Sequence, residues 1–270
     1  MRVSQRNKLI YTILLLFFII LFWAIDNFYT PGLESDVEYT AARTEFPIDL
    51  RPTVTSGEIV EHRHYILSYS EPYEQAEWVA YVLKKDHLTY DERDRPYFIE
   101  DPKVKTNSAD WRNYKKSGFD RGHLCPAGDR RFSEFAYDET FYTSNISPMK
   151  SDFNAGVWNR LEMRIRKWSK EYSTLYVITG GILKEDLPTI GDEDVAVPRA
   201  FYKIVARGEP NNLEVGAFLI PHRESQQSLG TFMISVDALE MKTGIDYFSA
   251  LSDDYEERLE ATVNKAAWNF

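Results

Sequence analysis

The 270-residue sequence predicts an α+β domain, with a mostly antiparallel central sheet flanked by helices and one apolar helix ahead of it. Three observations carry that expectation. β-rich runs come in clusters with few helices between them, which favours antiparallel pairing over a doubly wound parallel sheet. From Asn154 to about Lys170, Trp158, Leu161, Ile165 and Trp168 recur at helical spacing and make one buried stripe. Residues 9–25 carry no charge.

The elements follow in chain order. Residues 1–8 read as a short basic tail, with Arg2, Arg6 and Lys8. The run 9–25 would span about 25 Å as a helix, the short end of a membrane crossing. Tyr11 and Trp23 lie near its two ends, where interfacial aromatics sit, and acids follow it. The basic side stays in the cytoplasm. The expectation is therefore a membrane anchor with everything after it on the extracytoplasmic side. The rival is a cleaved signal segment and a secreted domain, against which stand the length of the run and the lack of a small-x-small site directly after it. Residues 26–52, with Pro31, Gly32, Pro47 and Pro52, read as a linker, and 53–270 as the domain.

Within the domain, residues 58–69 and 77–84 are β-rich and flank Pro72, which predicts a hairpin. His62 and His64 would share one strand face, but no third ligand in the sequence nearby completes a zinc set. Residues 88–119 form a long polar connection of the kind that often serves a site. Residues 141–153 read as a strand end turning at Pro148, followed by the helix from Asn154. Residues 174–179 suit a central buried strand, 195–205 and 213–220 two more, and 234–241 and 253–267 small peripheral helices.

Composition bounds the function. The chain is 43% hydrophobic, enough for a packed core, and its single cysteine, Cys125, excludes an intrachain disulfide. The net charge of −10 argues against a nucleic-acid coat protein. Positive charge is nonetheless concentrated locally: residues 101–131 hold eight Lys/Arg against four Asp, and 150–170 hold six against two acids. That pattern suits a local anion-binding surface.

Both basic stretches carry candidates for chemistry. In Asp120-Arg121-Gly122-His123, residues two apart in an extended segment point the same way, so Arg121 and His123 face one site. Arginine neutralises a phosphate, and neutral histidine takes a proton from water. Asn154 and Glu162 offer oxygen ligands suited to a hard cation such as Mg2+. The bland readings are a helix N-cap for Asn154 and a surface carboxylate with Arg166 four residues on for Glu162. Cys125, two residues from His123, is the competing nucleophile. No G-x-S-x-G, H-E-x-x-H or C-x-x-C motif occurs, nor any internal repeat or glycine-rich phosphate loop.

Asp120-Arg-Gly-His-Leu-Cys-Pro-Ala-Gly-Asp129 resembles the D-R-G-H signature of the DNA/RNA non-specific endonuclease family. Ser144-Asn-Ile-Ser-Pro148, Phe153-Asn-Ala-Gly-Val-Trp158 and Leu161-Glu162 match its second block in order and spacing. The resemblance covers roughly residues 58–265 and implies a six-stranded antiparallel sheet with a ββα-metal site. It implies sequence-non-specific hydrolysis of DNA and RNA along the backbone, leaving a 5′-phosphate, with one divalent metal, Mg2+ or alternatively Mn2+. By resemblance His123 is the general base, Arg121 the phosphate-contacting arginine, Asn154 the direct metal ligand and Glu162 a ligand acting through water. Asn145 supports the site, and Arg95, ahead of Phe98 and Asp101, is the upstream arginine, with Arg93 as its rival. Met149 stands where the family often has Gln, and Cys125 where a small residue is usual. The alternative function is a membrane-anchored module that binds nucleic acid or a partner without turnover.

Overall fold

A computed structural model of the chain describes residues 2–29 and 44–270. It comprises two units, Met1–Leu33 and Glu34–Phe270. The expected linker lies partly outside the described residues, between 30 and 43.

The first unit is helix α1, Arg2–Phe28. It runs past the apolar stretch at both ends because neither flank contains a helix breaker. Within it, Asn7–Ile25 is long and apolar enough to cross a membrane.

The second unit is a seven-stranded sheet, every neighbouring pair antiparallel, in the order β1 (Glu58–Glu61), β2 (Ile66–Ser70), β3 (Gln75–Lys84), β6 (Thr174–Gly181), β9 (Ala200–Glu209), β10 (Asn212–Pro221) and β11 (Met233–Ile234). The seventh strand beyond the expected six is the two-residue β11. Between β3 and β6 the chain leaves the sheet to form the ribbon β4 (Asp120–His123) and β5 (Ile146–Met149). A second ribbon pairs β7 (Thr189–Ile190) with β8 (Val195–Ala196).

Alternation along β3 divides the core. Val79, Tyr81 and Leu83 face one side, and Trp78, Ala80 and Val82 the other. The first side is covered by α4 (Asn159–Tyr172), whose Leu161, Ile165 and Trp168 are buried with Trp158 just before it, along the predicted stripe. Against the second side pack α5 (Val236–Thr243), through Val236 and Leu239, and α6 (Asp253–Ala261), through Leu259. A third cluster, with Phe98, Phe141 and Ile146 and with Tyr137 of α2 (Glu134–Glu139), lies beside the β4–β5 ribbon.

Tertiary structure moves several expected boundaries. The packed domain begins ahead of residue 53: Phe46 and Leu50 are buried against the second face, and the Thr44 amide donates to Glu61 Oε1 at 3.1 Å. The run 58–69 is a hairpin by itself, with Glu61 paired to Ile66, so His62 and His64 stand in the turn and not on a strand face. Pro198 has no amide to donate, and the run 195–205 divides there into β8 and β9. Pro148 is a residue of β5, opposite Arg121. The helix starts at α3 (Ser151–Phe153), so Asn154 has helical dihedrals and is not its N-cap.

Candidate active site

The site is built from strand β4, strand β5 and the helix that follows. Pairing of Arg121 with Pro148 and of His123 with Ile146 fixes the ribbon. Gly122 lies over Met149: a β-carbon there would meet Met149 Sδ at 2.3 Å, so any side chain would force Met149 to move. Met149 is fully buried core and brings no polar group to the site.

Between α3 and α4 the chain makes a π-turn, Asn154–Trp158, with non-helical dihedrals at Gly156. The turn is opened by Glu224. Its Oε2 accepts the Val157 amide at 2.7 Å, in the space a β-carbon at 156 would occupy. Asn154 sits at the head of this turn. Its Nδ2 donates to Asp120 Oδ2 at 3.1 Å, and Ser151 donates to Asp120 Oδ1 at 2.6 Å. Asp120 thereby fixes the carboxamide, and Asn154 Oδ1 accepts no hydrogen bond among the described residues.

On β4, Arg121 and His123 project into an aromatic frame. The Arg121 guanidinium lies 4.8 Å from the Phe98 ring centre and 5.8 Å from that of Trp111. Arg95, exposed, lies 5.4 Å from Phe98 and 5.7 Å from Phe141. The His123 ring is 5.5 Å from Phe98 and meets Phe141 nearly edge-on at 4.9 Å. Two arginines and the histidine thus gather on Phe98 and Phe141. Arg93 instead donates to the Arg131 carbonyl and to Asp91. His123 Nε2 is buried without a hydrogen-bond partner. Burial, with the Arg95 charge adding to it, pushes the imidazole down to about 3. The ring is therefore neutral at physiological pH.

Glu162 lies on α4, mostly buried. Arg166 donates to it at 3.4 Å and to Asp129 Oδ1 at 2.5 Å. Lys203 on β9 is fully buried, with Nζ 4.7 Å from the Trp158 ring centre and donating to the Leu124 carbonyl at 3.4 Å. Burial pulls the Lys203 ammonium down while Glu162 and Asp129 hold it up; burial raises Glu162 while Lys203 and Arg166 oppose. These charges balance one another beneath the loop that leaves β4. No hydrogen bond or ion pair among the described residues joins Asn154 or Glu162 to His123, Arg121 or Arg95. Asn154 reaches that strand through its hydrogen bond to Asp120, the residue before Arg121.

Asn145 does not face the site. It is fully buried, accepts the Cys125 amide at 2.8 Å and donates to the Cys125 and Thr140 carbonyls at 3.0 and 2.9 Å. It positions the chain immediately after His123. Cys125 is itself fully buried, and burial pushes its thiol up to about 12, which removes it as a nucleophile. His62 and His64 also leave the metal reading. His62 Nε2 lies 2.7 Å from Asp101 Oδ2, and His64 Nδ1 lies 2.6 Å from Glu139 Oε2, so each is hydrogen-bonded to a carboxylate, His62 fully within the interior.

The sequence reading passed over Asp120, Asp129, Arg166 and Lys203 as site residues. Asp120 opens the D-R-G-H run, and Lys203 stands at an inward position between Phe201 and Val205; both signals were present.

The donors suit a hard cation: a free carboxamide oxygen on Asn154, and the carboxylates of Asp120 and Glu162. With a neutral imidazole and two guanidiniums, they are the parts of a site for chemistry on phosphate esters. A family profile described as DNA/RNA non-specific endonuclease matches residues 45–254, and the chain belongs to that family. It is 37% identical over 207 residues to the mitochondrial nuclease EXOG of Danio rerio, covering 70% of this chain and 60% of that protein. It is 35% identical over 221 residues to nuclease C1 of Cunninghamella echinulata var. echinulata, covering 73% and 85%. Among solved structures it resembles the EndoG/EndoGI complex, whose subject is EndoG inhibition, with a TM-score of 0.67 at 29% identity over 74% of this chain and 89% of that one. The chain thus spans about 60% of the length of the EXOG relative.

Proposed function

We propose that this protein is a divalent-metal-dependent endonuclease that hydrolyses phosphodiester bonds of DNA and RNA without sequence preference. The observation that carries this reading is the gathering of Arg95, Arg121 and a neutral, partly enclosed His123 on one aromatic frame. The two guanidiniums bind and orient a backbone phosphate, whose position is independent of base sequence. His123, uncharged, takes the proton of the attacking water. Asn154, oriented by Asp120, and Glu162 would hold the metal, Mg2+ or Mn2+. When bound, that ion supplies charge neutralisation on the phosphoryl oxygens. Asn145 keeps the histidine strand in register, and Lys203 with Arg166 keeps Glu162 placed. Family membership supports the reading, since endonuclease G-like nucleases depend on a divalent metal.

The N-terminal helix serves as an anchor with the domain on the extracytoplasmic side. The length and lack of charge of its run 9–25, with Arg2, Arg6 and Lys8 ahead of that run, support this. Protease added to intact cells should reach the domain; full protection would reverse the orientation.

The full chain with Mg2+ should degrade plasmid and RNA, and His123→Ala should lose on the order of 10²–10⁴-fold in rate. Wild-type protein without activity, or equal activity in His123→Ala, refutes the nuclease and leaves a binding module.

A further inference from the structure

On the face of the sheet opposite α4, five carboxylates from three segments converge. Asp237 and Glu240 come from α5, Asp246 from the loop after it, and Glu256 and Glu260 from α6. Their ligand oxygens form two triads, Asp237–Glu240–Glu260 and Asp246–Glu256–Glu260, each within 4.8 Å, with Glu260 shared. Acidic patches on surfaces are common, and this one differs in its centre. Glu260 is 6% exposed, and its Oε1 is buried with no hydrogen-bond partner. It is the one fully buried residue of α6. None of the five carboxylates is in an ion pair among the described residues. Among the described residues, the only side-chain hydrogen bond in the set is to Glu240 Oε1, which accepts the Tyr247 amide at 2.9 Å.

A buried carboxylate among four others needs either a proton or a counter-charge. No donor among the described residues reaches Oε1. We propose that Glu260 is the shared ligand of a divalent-cation site of the calcium class, which joins α6 to α5 and the Asp246 loop. All donors are hard oxygens, with no His or Cys among them, which disfavours zinc. Calcium takes about 6–8 oxygens in adaptable geometry, as a crowd of carboxylates on two helices and a loop offers; Mg2+ would demand a smaller octahedral shell and keep its waters. Burial and the acidic neighbours push Glu260 up to about 8, in keeping with a carboxylate that lacks its counter-ion. The site is separate from Asn154 and Glu162, and its role is to staple a helix that otherwise docks through little apolar surface.

The test uses the full chain in detergent, freed of metal with EDTA, with calcium chloride as probe and calorimetric titration and thermal melting as readouts. Asn154→Ala removes the candidate catalytic ligand, and Glu260→Gln keeps the shape of the buried side chain without its charge. One calcium-binding event should persist in Asn154→Ala and vanish in Glu260→Gln. At about a hundredfold excess over the dissociation constant, calcium should raise the melting temperature on the order of 5–10 °C, and Glu260→Gln should lose that rise. Asp246→Asn, on the surface, should weaken the same event and serves if Glu260→Gln does not fold. No calcium binding in Asn154→Ala, or binding unchanged in the Glu260 and Asp246 variants, overturns the proposal. Neither readout depends on nuclease activity.

Discussion

Asn145→Ala probes how far the site depends on a residue that never touches it. The Asn145 side chain satisfies three buried backbone groups: the Cys125 N–H, the Cys125 carbonyl and the Thr140 carbonyl. Alanine leaves all three unpaired in a place with no solvent access. Each orphaned group costs about 1–3 kcal/mol, and neighbouring losses do not add fully. The expected net loss is roughly 3–5 kcal/mol, at the upper end for a single substitution. A urea titration should record it as a lower midpoint with unchanged slope. Because Cys125 lies two residues beyond His123, the strand that aims the imidazole loosens too, and kcat should fall more than KM rises. Asn145→Asp should not rescue: it keeps the acceptor for the Cys125 amide but sets a carboxylate against two carbonyl oxygens. A loss below about 1 kcal/mol with full activity would refute this account of Asn145.

Two further expectations concern protonation. His123 is held well below the usual value of about 6.5, first by burial and then by Arg95, so the acidic limb of kcat/KM should lie below pH 6.5. Arg95→Ala removes one of the two causes, so the limb should move up toward 6.5, with a raised KM from the lost phosphate contact; an unmoved limb would separate Arg95 from His123. Cys125→Ala should keep the rate within about threefold and cost on the order of 1 kcal/mol, because a buried thiol held near 12 is packing and not a nucleophile. A hundredfold loss of activity would restore the cysteine reading.

Much of this molecule is legible in its residues. The apolar run 9–25 dictates a helix because it holds no charge and no breaker, and the helix after Asn154 follows from Trp158, Leu161, Ile165 and Trp168 on one face. The antiparallel sheet follows from clustered β-rich runs. Arg121, His123, Asn154 and Glu162 stand out as candidates because motif spacing is a property of the chain itself. Tertiary structure decided what depends on residues far apart. Asp101 reaches His62 from 39 positions away and Glu139 reaches His64 from 75, so each imidazole is held by a carboxylate. The Arg95 guanidinium reaches Phe98, while that of Arg93 bonds the Arg131 carbonyl. Asn145 became a backbone clamp, Asp120 the group that orients Asn154, and Lys203 a buried counter-charge. Local sequence encodes periodicity and the reach of near neighbours. Burial and long-range hydrogen bonding set the charge state of His123, the inertness of Cys125 and the crowding around Glu260, and these exist only once the sheet has brought its faces together.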